Sequence, residues 1–126
     1  MSFRTFLLIA TLAPLPAAAF GDLDCITLQS CGNAGCQPET TPFAVTFDWA
    51  DDAAVVTVDG KDHRLNWVAT DGMAGGLGTR LEYGDMEDTN RLLRIEATAT
   101  EITAQYTFRA PLITTWDATC DVRQAA

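Results

Sequence analysis

Beyond its first twenty residues the chain holds one serine, Ser30, one histidine, His63, and one lysine, Lys61. A Ser-His-acid hydrolase needs a free, aligned nucleophile. Ser30 instead stands inside Cys25-Ile-Thr-Leu-Gln-Ser-Cys31-Gly-Asn-Ala-Gly-Cys36, and His63, in phase with Leu65 and Trp67, reads as a packed or rim histidine rather than a general base. With 8 Lys+Arg against 17 Asp+Glu and a net charge of −9, nucleic acid and anionic membrane are excluded as partners, because both require a basic face. There is no C-x-x-C redox pair, and cysteine gaps of five and four residues without a nearby histidine do not fit zinc. The glycine cluster Gly72-Met73-Ala-Gly75-Gly76-Leu-Gly78 lacks the Gly-Lys-Ser/Thr ending of a phosphate loop.

Two acidic features carry little specificity. Asp85-x-Glu87-Asp88-x-Asn90 has oxygen ligands but neither the order nor the distant bidentate glutamate of an EF-hand, so it reads as a solvated acidic loop. Seventeen acids always offer some carboxylate pair, so a glycosidase arrangement has no distinguishing signal. No cofactor, no metal and no catalytic residue is expected, and the chain is not expected to be an enzyme.

What is present begins with a leader. Arg4, the apolar run Phe6 to Leu15 and the small residues Ala17-Ala18-Ala19 form a secretory signal peptide, with cleavage expected after Ala19. The run is short and holds Pro14, so it does not span a bilayer. Cleavage leaves one domain, residues 20–126, with seven Lys+Arg against seventeen Asp+Glu, a net charge of −10. A periplasmic or secreted protein, monomeric and free of the membrane after cleavage, is the expectation; its charge favours a cationic protein partner.

Export also sets the cysteine chemistry, since thiols delivered to an oxidising compartment become disulfides. Gly32-Asn33-Ala34-Gly35 turns easily, so Cys31–Cys36 closes locally and leaves Cys25 for Cys120. Cys25–Cys36 with Cys31–Cys120 is the alternative.

Period-two patterning predicts strands through the rest of the chain. Phe43-Ala-Val45-Thr-Phe47-Asp-Trp49 alternates strictly, and Ala50-Asp51-Asp52 turns it. Asp59-Gly60 between Ala53–Val58 and Asp62–Val68 predicts a type I′ hairpin, with Val56 opposite His63 and Ala54 opposite Leu65. Further strands are expected over Thr79–Tyr83, Leu93–Ala97, Ile102–Phe108 and Thr114–Val122, with one around Leu23–Leu28. The fold class is therefore all-β: a small antiparallel β-barrel or β-sandwich of seven to eight strands, stapled by disulfides. Its expected core is Phe43, Phe47, Trp49, Val56, Leu65, Trp67, Leu81, Ile95, Tyr106, Phe108 and Trp116.

The leader, the early cysteines, the Asp-Gly hairpin and the ending Trp116-Asp-Ala-Thr-Cys120 resemble a group of small exported bacterial proteins of unknown function. Ala54-Val-Val-Thr-Val-Asp-Gly-Lys-Asp-His-Arg-Leu65 is similar to the central hairpin of the periplasmic C-type lysozyme inhibitor family. That resemblance implies a small antiparallel barrel and inhibition by loops docked on a cationic enzyme. The family's serine- and tyrosine-bearing inhibitory loops have no counterpart in Gly72–Gly78. The expected function is an exported binding module, protein-binding or inhibitory. Its contact surface would be two loops, Asp71, Gly72, Met73, Gly75, Gly76 and Gly78 in one, Asp85, Glu87, Asp88 and Asn90 in the other. The alternatives are a small-molecule carrier with ligand in a barrel interior lined by Trp67, Tyr83 and Trp116, and a hydrolase.

Overall fold

Alternation of apolar and polar residues gives each strand one buried and one wet face, and a sheet of such strands buries its apolar face by curling onto itself. In a computed structural model that describes residues 21–73, 76, 78–85, 91–109 and 112–123, the strands are β1 Leu23–Gly32, β2 Gly35–Pro38, β3 Pro42–Asp48, β4 Ala53–Val58, β5 Lys61–Gly72, β6 Gly78–Gly84, β7 Arg91–Thr98, β8 Ile102–Arg109 and β9 Ile113–Val122. All neighbours are antiparallel, and β9 returns to pair with β1, so β1 and β3–β9 close an eight-stranded barrel. The leader expected over residues 1–19 lies outside the described residues, as do the loop positions Gly75, Glu87, Asp88 and Asn90.

Closure depends on β1, which serves three neighbours. Leu23–Ile26 pair with β3 and Gln29–Gly32 pair with β2, while the opposite edge of β1 runs along β9 from Val122 to Thr115. A bulge at Leu28 shifts that register by one residue, which lets one strand bend from the barrel wall into the short β1–β2 hairpin. Residues 33 and 34 make the hairpin turn, and only Gly35 there takes positive φ, at 107°.

The Asp59-Gly60 hairpin forms in the expected register, with Val56 opposite His63 and Ala54 opposite Leu65. Asp59 and Gly60 have φ of 51° and 78°, the pair of positive values that a type I′ turn requires. Both disulfides pair as first expected, Cys25–Cys120 across β1 and β9 and Cys31–Cys36 across β1 and β2. Each joins residues that sit directly opposite one another in the ladder.

The barrel interior is filled by Leu23, Cys25, Phe43, Val45, Phe47, Val56, Leu65, Leu81, Tyr83, Leu93, Ile95 and Tyr106, with Trp49, Phe108 and Trp116 packed on its margins. Trp67, expected in this core, is 48% exposed. Its inward phase is correct, but the β4 ladder stops at Ala53 opposite Asn66, the Trp67 amide makes the last bond on that side to the Asp52 carbonyl (2.9 Å), and beyond it β5 has a strand partner on one side only. A bulge at Val68 then turns the strand out of the wall. The outer face carries Arg80–Glu96 and Arg94–Glu82 ion pairs and a Gln29–Asp117–Gln105 hydrogen-bond bridge. Apolar inside and charged outside is the reverse of a membrane-spanning barrel.

Candidate functional site

The barrel has two ends of different construction. At the termini end, Gly21 and Arg123 share one end of the barrel with the turns at 49–52 and 98–101. Asp22 there accepts a hydrogen bond from the Phe47 amide (3.1 Å), and its carbonyl accepts one from the Arg123 amide (2.7 Å). Arg123 pairs with Asp22 and Asp24, which lashes the last strand to the first.

At the other end, beside the Asp59-Gly60 turn, the inward rows of several strands stop being aliphatic. On β5 the row runs from Leu65 to His63 and Lys61. On β7 it runs from Ile95 and Leu93 to Arg91, on β8 from Ala104 to Tyr106 and Phe108, and on β9 from Ala118 to Trp116. These ends, with Val58 and Asp59, line a cavity of about 240 Å³ that is open to solvent at the barrel mouth. Tyr106 is buried and forms its floor. Phe108 and Trp116 stand edge to face at 5.0 Å and form one wall.

Arg91 donates from Nη1 to the Tyr106 hydroxyl at 3.0 Å. That contact fixes the guanidinium over the cavity floor and leaves the tyrosine proton free to donate elsewhere. Burial holds the Tyr106 hydroxyl above the usual tyrosine range, with Arg91 pulling it back. Burial also lowers the His63 imidazole below its ordinary range, and the Arg91 and Lys61 charges push the same way against Asp62 and Asp85. Burial and the two cations therefore favour the neutral imidazole near pH 7.

Among the described residues, ion pairs join Arg64 to Asp48 and Asp51, Arg80 to Glu96, Arg94 to Glu82 and Arg123 to Asp22 and Asp24. Lys61 and Arg91 belong to none of them. The acidic chain has thus placed two of its few cations at the rim of one cavity.

The loop residues singled out in the sequence do not form one surface. The two loops leave opposite ends of the seven-residue strand β6, about 20 Å apart at the usual rise of a strand. Asp71, Gly72, Met73, Gly76 and Gly78 belong to the termini end, where the Met73 amide donates to the Gly78 carbonyl at 2.9 Å and closes the hairpin. Gly78 has a packing role: a Cβ there would run into the carbonyl of Ala97. Asp85 belongs to the cavity end, its amide bonded to the Arg91 carbonyl.

Trp67, Tyr83 and Trp116, the expected carrier lining, are also dispersed. Tyr83 is inside the core, Trp67 is half exposed on β5 beyond the end of β4, and Trp116 alone lines the cavity. Ser30 lies opposite Trp116 and Gln37 and is not part of the lining that holds His63.

Strand patterning alone does not mark Arg91, Lys61, Tyr106 and Phe108 as site residues. A signal for them existed, because a charged residue at an inward-facing position on a strand marks the end of the packed core or a site. No group of three or more His, Cys, Asp or Glu among the described residues is placed to hold a metal. No described helix is long and apolar enough to cross a membrane. Compared with protein-family models, with curated proteins and with solved structures, the chain matches none.

Proposed function

We propose that this is an exported binding module that takes a small ligand at the cavity end of its barrel and performs no chemistry on it. The observation that carries the reading is the 240 Å³ cavity, where polar side chains from β5, β7 and β8 converge on an aromatic floor and wall. Ligand sites are concave, largely apolar and furnished with a few polar groups that fix orientation, and this cavity has that composition. Its volume is below the roughly 300–1,000 Å³ of drug-sized sites, so it suits a ligand the size of one ring with a short tail. Binding without turnover fits the fate of the nucleophiles: all four cysteines are in disulfides, and Ser30 stands apart from His63. Export fits the leader and the two disulfides.

The test is a side-chain NMR titration with a pool of single-ring fragments. Resonances of His63, Tyr106 and Trp116 move while those of Trp67 stay; no movement at the cavity overturns the reading. A second reading, docking to a cationic protein as the inhibitor resemblance implies, draws on the net charge of −9. It would use the acidic outer surface rather than the cavity, whose Lys61 and Arg91 repel a basic side chain. Capture of a basic partner from an envelope extract then weakens steeply between low and moderate salt. Salt-insensitive capture, or none, removes this reading.

A further inference from the structure

The hydrogen-bonding capacity of the cavity points to the charge of its ligand. Arg91 and Lys61 are donors only. Tyr106 accepts from Arg91 and keeps its own proton to give. The Trp116 indole also donates only. Against these stands one carboxylate in the lining, Asp59, which is exposed on the hairpin turn and faces water. Asp62, the next acid along, is turned outward and accepts a hydrogen bond from the Thr57 hydroxyl at 2.7 Å. His63 adds one ring N–H and one acceptor nitrogen when neutral, and Asp85 at the same end acts on His63 from outside the lining. Within the lining donors still outnumber acceptors, with Lys61 as exposed as Asp59, in a protein whose overall charge is −9.

A neutral carbonyl or hydroxyl can accept from these donors but leaves the charges of Arg91 and Lys61 uncompensated once water is displaced, and a cationic ligand would meet two positive charges. An anion satisfies both terms. The aromatic side chains add a second requirement: Phe108 and Trp116, packed edge to face at 5.0 Å, with Tyr106 beside them, present an apolar aromatic wall on which a flat ring can lie. A bare inorganic anion would leave that wall wet.

Building on the binding reading above, we infer that the cavity is a receptor site for a small aromatic carboxylate, with Arg91 and Lys61 on the carboxylate and the Tyr106, Phe108 and Trp116 rings around the ligand ring. Arg91, held from below by Tyr106, is the principal contact, because a guanidinium fixed in orientation can present two parallel N–H groups to a carboxylate. Lys61, on a flexible stem at the mouth, supplies attraction without orientation.

Calorimetric titration with three matched pairs tests this: benzoate with benzamide, phenylacetate with phenylacetamide, and indole-3-acetate with its amide. Acetate serves as the ring-free control. In at least one pair the acid binds about tenfold or more tightly than its amide, as a hydrogen bond to a charged group predicts, and acetate does not bind measurably. Arg91→Gln brings acid and amide to within about threefold of each other, and Arg91→Lys restores part of the preference. Arg123→Gln, at the other end of the barrel, leaves the preference unchanged. Circular dichroism melts establish that each variant is folded; should Arg91→Gln not fold, Lys61→Gln takes its place and lowers acid binding selectively.

The outcomes separate the two claims. Acid and amide binding equally well overturns the anion assignment and leaves the binding reading standing. Acetate binding as tightly as the aromatic acids overturns the aromatic requirement. No binding by any of the six aromatic probes overturns both.

Discussion

The two ends of this barrel are built for different purposes. At the termini end the first and last strands of the barrel are locked together by Cys25–Cys120, by the Asp22 and Asp24 contacts of Arg123, and by the ladder from Leu23–Val122 onward. The inward positions there are apolar. At the cavity end the inward positions carry His63, Lys61 and Arg91, and the nearby staple, Cys31–Cys36, secures only a local hairpin. Consolidating closure at one end leaves the other able to hold charged side chains at inward positions without unfolding the barrel.

The sharpest way to break this comparison is to cut each staple in turn. Cys25 and Cys120 are 95 residues apart; removing their bond by a Cys25→Ala/Cys120→Ala double replacement costs about 4–5 kcal/mol on the chain-entropy account. Cys31 and Cys36 are 5 apart, and the same account gives roughly 2 kcal/mol for their loss. Urea unfolding of the two double variants measures both. Equal losses would show that the termini end has no special role in closure.

Gly78 tests the termini end more locally. Alanine there drives its methyl into the Ala97 carbonyl between β6 and β7, a backbone group that cannot rotate away. The expected loss is about 1–3 kcal/mol, in the range of overpacked sites, with no change in ligand binding at the far end. If Gly78→Ala instead weakens binding at unchanged stability, the division between the ends fails.

Thr27 predicts a smaller gain. Its side chain is completely buried, and the hydroxyl has no hydrogen-bond partner. Thr27→Val keeps the shape and removes the orphan, so stability should rise by roughly 1 kcal/mol. A loss in the same unfolding assay would mean that the hydroxyl has a partner in solution.

The smallest effect belongs to His63 and is read by pH. Its folded pKa is below the unfolded value of about 6.5, so at acid pH the unfolded chain binds a proton that the folded chain resists. Its contribution is complete above that unfolded value and is lost as pH falls below it, down to the folded pKa. His63→Gln should flatten that part of the stability profile. A carboxylate bound beside Arg91 and Lys61 should raise the His63 pKa, which NMR titration would detect.

Much of the architecture was legible in the sequence, for local reasons. Asp59-Gly60 fixes a two-residue turn, and that turn fixes the register from Val56–His63 outward. The misreadings came from non-local geometry. Trp67 alternates correctly with Leu65, yet the end of β4 and the bulge at Val68 leave it outside. The short strand β2 has four exposed residues and no apolar face to announce it. The loops on either side of β6 look like neighbours in the sequence, and only the folded seven-residue strand sets them at opposite ends.

By itself the sequence determined the all-β class, the hairpin and the disulfide chemistry, because turn geometry, side-chain alternation and thiol spacing act over a few residues. Tertiary structure alone decided that the sheet closes through β1 and β9, and which mouth collects charge. Lys61, Arg91 and Trp116 are far apart in the chain and meet only because the inward rows of antiparallel strands end together at one rim of a closed barrel.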